Sequence, residues 1–133
     1  MAKSQAATEY LMVISFVTLA LIIVIFLTNF YSEITKNKIS QSQLEISVNK
    51  IISSAESVYY AGEPSQVTVL VYFPKGISSM TLEGKALIIE RETPFGISKI
   101  VYLSRVNLTG NIPIEEGTKK LLIKATTDKV EIS

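Results

Sequence analysis

Cysteine and histidine are both absent from this 133-residue chain, and aspartate occurs once, as Asp128. Without thiols or imidazoles there are no disulfides, no Cys/His zinc sites, no thiolate nucleophiles and no His-based triad. A missing cysteine framework does not fix a compartment; it says that packing and assembly supply the stability. Charge of either sign is also scarce in net terms: 13 Lys and Arg against 12 Asp and Glu leave +1, which gives no footprint for nucleic acid. No glycine-rich phosphate loop and no metal-ligand spacing is present, so a non-enzyme without cofactor or metal is expected.

What the chain has instead is one uncharged apolar run, Tyr10 to Ser32. Its roughly 23 residues, at about 1.5 Å each, reach across a hydrocarbon layer of about 30 Å as a single helix. Ile14, Val17, Leu21, Ile22, Ile23, Val24, Ile25 and Phe26 cover all faces, as in a helix that meets lipid or is buried on every side. A secretory signal peptide has a shorter apolar core, about 7–15 residues, and a small-residue cleavage site after it. Leu27-Thr28-Asn29-Phe30 offers no such site.

Beyond Ser32 the chain turns polar without Pro or Gly, and apolar residues resume at Leu44, Val48, Ile51, Ile52, Ala55, Val58 and Tyr59. Spacings of three and four predict an amphipathic helix. Ala61-Gly62 followed by Pro64 ends it. A helix unbroken from Ala6 to Tyr60 has a length on the order of 80 Å. Thr28 to Asn37, rich in Thr, Ser and Asn, is where a kink costs least.

From Ser65 the period changes to two. Val67, Val69, Val71 and Phe73 alternate with Thr68, Leu70 and Tyr72, and Pro74-Lys75-Gly76 makes a turn. Strands are then expected at Ile77 to Leu82, Lys85 to Arg91, Ile97 to Val106, Thr118 to Thr126 and Lys129 to Ile132, with turns at Glu83-Gly84, Thr93-Pro94-Phe95-Gly96 and Thr127-Asp128. Five to six antiparallel strands make a sheet or small sandwich whose apolar face needs a lid, and Val48, Ile52, Ala55 and Tyr59 form the nearest one. The expected fold class is α+β, a long N-terminal helix carrying a C-terminal β-head.

The start of the chain carries a resemblance. Lys3-Ser4-Gln5-Ala6-Ala7-Thr8-Glu9-Tyr10-Leu11, running straight into the apolar stem, resembles the class III signal peptide of type IV pilin-like proteins, in particular archaeal pilins with a Gln-x-Ser-x-Glu type motif. Gln5 and Glu9 match it; Ala7 stands where the pattern has serine, and Ser4 where glycine is commoner. The β-rich head, the absence of cysteine and the segment Gly62-Glu63-Pro64-Ser65 leading into Val67-Thr68-Val69 look like an archaeal pilin or adhesion-filament subunit, and archaellins share the layout.

The resemblance implies a leader of residues 1–4 removed by a prepilin peptidase between Ser4 and Gln5, a helix over 5–61 with 10–32 as transmembrane segment and then filament core, and a head over 62–133. It implies a homopolymer whose core holds Leu11, Ile14, Val17, Leu21, Val24 and Ile25, and, as partners, an assembly ATPase and a membrane platform protein. It further implies a subunit that waits in the cytoplasmic membrane and ends in an extracellular filament serving adhesion. Lys3 and the initiator amine are nearly balanced by Lys36 and Lys38, offset by Glu33, so the positive-inside rule hardly orients the stem; the leader resemblance places the N-terminus in the cytoplasm and the head outside.

A carboxylate beside an apolar stem needs compensation, roughly 2.5–3.5 kcal/mol at mid-membrane and less near the interface. After cleavage the α-amine of Gln5 lies four residues from Glu9, so Glu9 can face that amine or a neighbouring subunit's and register an incoming copy. A helix-start acid at the interface, favoured by the helix dipole, is the alternative. An N-terminal glutamine that cyclises would remove the partner charge.

Asn107-Leu108-Thr109 fits the N-glycosylation pattern. Glu115-Glu116-Gly117 reads as a solvated turn. Lys119, Lys120, Lys124 and Lys129 read as the outer face and edge of the last hairpin, where lysine discourages strand addition. Tyr59, Tyr60 and Tyr72 read as cover for the helix–sheet core. A minor pilin-like component and a membrane-anchored external binding domain remain the alternatives to a main filament subunit.

Overall fold

A computed structural model describes residues 1–93 and 96–133; the expected turn at Thr93-Pro94-Phe95-Gly96 lies, at Pro94 and Phe95, outside the described residues. Helix α1 spans Ala2–Ala61. It is followed by strands β1 Gln66–Phe73, β2 Ile77–Glu83, β3 Ala86–Thr93, β4 Gly96–Leu103, β5 Leu108–Gly110, β6 Gly117–Ala125 and β7 Val130–Ile132. Two compact units result, Met1–Ile39 and Ser40–Ser133.

The fold is α+β, as the change of period from three-and-four to two predicts. No break interrupts α1 over Thr28 to Asn37. There the hydroxyls of Thr28 and Thr35 and the amide of Asn29 donate to the carbonyls of Val24, Tyr31 and Ile25, at 2.8, 2.9 and 3.0 Å. The polar side chains thus bond back to the preceding turn and leave the main-chain ladder intact. The helix stops where Gly62 takes a left-handed φ of 81° and donates its amide to Tyr59 O at 3.1 Å, a conformation without steric cost for glycine.

In the unit Ser40–Ser133, α1 buries Leu44, Ser47, Val48, Ile51, Ile52, Ala55 and Val58, one stripe at helical spacing. The strands form two sheets, β1-β6-β7-β5 and β2-β3-β4. Their inward residues, among them Phe73, Leu87, Ile89, Leu121, Ile123 and Ile132, join the helix stripe in one cluster. Each such side chain contributes about 1.5–3 kcal/mol on burial. The lid residues Val48, Ile52 and Ala55 lie in this cluster and Tyr59 packs against it.

Three expectations need correction. Seven strands lie among the described residues, and β5 lies parallel to β7, with Leu108 opposite Val130 and Gly110 opposite Ile132; three residues are too few to show a period. The strand expected to reach Val106 ends at Leu103, because Ser104 and Val106 turn inward and are buried. The first strand, whose partner no periodicity names, pairs with β6, Gln66 to Lys124 through Phe73 to Gly117. Tyr60 and Tyr72 are exposed and do not cover the core.

The short parallel pair depends on a close approach. Gly110 has φ of 122°, and a Cβ there would fall inside the contact shell of the Ile132 carbonyl oxygen. Gly110→Ala is expected to cost about 2–3 kcal/mol and to lower the melting midpoint of the full chain in detergent micelles by on the order of 10 °C. An unchanged near-UV circular dichroism melt would contradict this packing.

Candidate functional site

The functional feature that chemistry can address is a surface. From Tyr10 to Tyr31 every described residue of α1 is exposed, so the apolar stem of the unit Met1–Ile39 has no partner of its own. It is long and apolar enough to cross a membrane. Leu11, Ile14, Val17, Leu21, Val24 and Ile25 are all exposed, and a helix needs no single seam when every face is greasy. Its polar groups are handled locally: Ser15 Oγ donates to Leu11 O at 2.8 Å, and Thr28 and Asn29 are back-bonded as above. Such bonds are what an apolar environment requires of buried hydroxyls and amides.

At the start of α1, Ser4 and Gln5 sit in the first turns, where Gln5 N donates to Met1 O at 3.2 Å and Ser4 O accepts from Thr8 Oγ1 at 3.0 Å. Glu9 follows Gln5 by four residues on the same helix and is exposed. The two therefore share a face.

The head supplies a second arrangement that sequence reading missed. Strand β1 is an edge of its sheet, and α1 covers that edge with side chains. Ser47 Oγ donates to Tyr72 O at 2.6 Å and accepts from Tyr72 N at 3.3 Å, while Lys50 Nζ donates to Leu70 O at 2.9 Å. Main-chain groups that would template a foreign strand are thereby occupied. The available signal was Ser47 itself, a small polar residue inside the apolar stripe between Leu44 and Val48. Glu56 makes a comparable tie, accepting from Arg105 N at 3.0 Å.

Arg91 is buried on β3, and its Nε has no hydrogen-bond partner among the described residues. Close by, burial raises the pKa of the Tyr102 phenol, Glu45 adds to the rise and Arg91 opposes it. Asn107 is exposed and its carbonyl accepts from Val130 N at 2.8 Å, so the side chain of the Asn107-Leu108-Thr109 triplet is accessible. Glu115 and Glu116 lie in the exposed approach to β6 and pair with Lys119 at 2.5 Å and Lys75 at 3.8 Å. Lys120 and Lys124 point outward from β6, whereas Lys119 is half-buried. Among the described residues no three His, Cys, Asp or Glu side chains gather.

No family model, curated protein or solved structure matches this chain.

Removing the Ser47 hydroxyl leaves both Tyr72 main-chain groups without their partner, so Ser47→Ala should destabilise the head by about 1–3 kcal/mol. Hydrogen exchange at the Tyr72 amide should accelerate more than at Val69, and equal protection in both forms would contradict the tie. The hydrogen bond from Lys119, then its charge, hold the Glu115 carboxyl below the ordinary glutamate range. A folded-state pKa that is lowered gives a contribution present above the unfolded value and lost as pH falls through the folded one. Carboxyl NMR should therefore show Glu115 titrating below the ordinary glutamate range, and Lys119→Met should return it to that range.

Proposed function

We propose that this chain is a structural, non-catalytic subunit of an extracellular, archaeal type IV pilus-like filament, polymerising through its apolar stem and presenting the β-head for surface adhesion. The observation that carries this reading is the stem itself, apolar on every face and uncovered from Tyr10 to Tyr31, joined to a head with its own core. The resemblance of Gln5 and Glu9 to the pilin leader supports processing by a prepilin peptidase between Ser4 and Gln5, with the stem held in the membrane until assembly.

Lipid tails are as apolar as Leu and Ile, so transfer of the stem into a bundle gains packing and little hydrophobic free energy. Polymerisation then needs work from outside, which is the role of an assembly ATPase and a membrane platform protein. Glu9 pairs with an N-terminal amine and sets the register of the incoming copy. Asn107 is available for glycosylation on the exported head.

Protein sheared from native cells should be fibrous and should begin at Gln5 by N-terminal sequencing. Glu9→Gln should lower fibre yield by about tenfold or more, the scale of one lost ion pair in an apolar setting, while leaving the cleaved subunit in the membrane. A chain that keeps Met1 and stays in the envelope would instead make the stem a permanent anchor for an external domain. Mass spectrometry of the Asn107 peptide reports the modification.

A further inference from the structure

The two sheets of the head turn their second faces outward, and neither is as polar as a solvated face. On β4, Ile97, Val101 and Leu103 are 72%, 51% and 78% exposed. The register places Ile88 beside Val101 and Ala86 beside Leu103, so the apolar patch is continuous across two strands. Its charged members are acidic in excess: Glu83, Glu90 and Glu92 share this face, against Lys99 alone, which pairs with Glu90 at 3.8 Å.

The outer face of β1 and β6 has the same build with the opposite sign. Leu70, Tyr72 and Leu122 are exposed there. Lys120 lies opposite Leu70 and Lys124 opposite Gln66, and Glu131 of β7 is the acidic residue beside Lys124. One face is therefore apolar with surplus carboxylates, the other apolar with surplus ammonium groups. Strand addition is not the way these copies meet at β1, since Ser47 and Lys50 occupy that edge.

We propose that the acidic apolar face of the β2-β3-β4 sheet docks on the basic apolar face of β1-β6 in a second copy of this chain, an inference that rests on the polymer reading above. Apolar side chains supply the contact, and the charges fix which faces meet and disfavour like faces. Because the two patches differ, the contact is heterologous, the head-to-tail kind that builds an open helical fibre when its rotation does not close into a ring. The head is then a second adhesive element of the polymer, in addition to the stem.

The lack of native cysteine makes the test clean. Leu103→Cys and Leu122→Cys are placed in one full-length chain, fibres are sheared from cells and oxidised with copper phenanthroline, and the product is run on a denaturing gel. The two positions lie on the outer faces of different sheets, so a disulfide joins two copies. A ladder of oligomers from the double variant, with monomer from each single variant, is expected. Adding Glu83→Lys and Glu92→Lys should weaken the ladder about tenfold, and further adding Lys120→Glu and Lys124→Glu should restore it. Fibres that yield only monomer from the double variant, dimers from either single variant, or a ladder indifferent to the charge swap would overturn the docking while leaving the polymer reading intact. Absence of fibres from the unaltered chain would overturn both.

Discussion

An α-helix whose apolar residues cover its whole circumference has to be surrounded, and that constraint organises this molecule. Water cannot do it, because every exposed Leu, Ile or Phe of the stem loses about 1.5–3 kcal/mol relative to burial. Within the chain nothing does it either, since the residues from Tyr10 to Tyr31 are all exposed. Lipid and a bundle of like helices are the two environments that satisfy such a surface. They are also nearly degenerate in hydrophobic free energy, so a segment suited to one is suited to the other.

The remaining half of α1 solves a different problem. One stripe, Leu44 to Val58, closes the apolar faces of two short sheets, while Ser47, Lys50 and Glu56 tie down main-chain groups of β1 and the segment after β4. The head thus has a core and a guarded edge without a disulfide. Its outward faces are less completely polar than a solitary domain requires, and their opposite surplus charges favour contact between unlike faces.

Much of this was legible in the sequence because it rests on periodicity. A run without charge, a stripe at three and four, and alternation at two are each properties of side-chain order, and they locate the stem, the buried face of α1 and strands β1, β3 and β6. The parallel β5–β7 pair was not legible, because three residues carry no pattern and the pairing depends on Gly110 fitting against Ile132. Long-range register was equally hidden, since Gln66 meets Lys124 only once both sheets exist. Ser47 was visible as a polar residue in an apolar stripe, yet its meaning required the position of Tyr72. The exposure of the stem follows from its composition, whereas the roles given to Ser4, Gln5 and Glu9 rest on resemblance.

The central claim is that the stem ends its path packed among other stems, and helical reconstruction by electron cryomicroscopy of fibres sheared from cells measures it directly. The account predicts a central bundle of helices in which Leu11, Ile14, Val17, Leu21, Val24 and Ile25 contact neighbouring copies, with β-heads outside. Fibres whose axis lacks these helices, or cells in which the stem is found only in lipid, would contradict it.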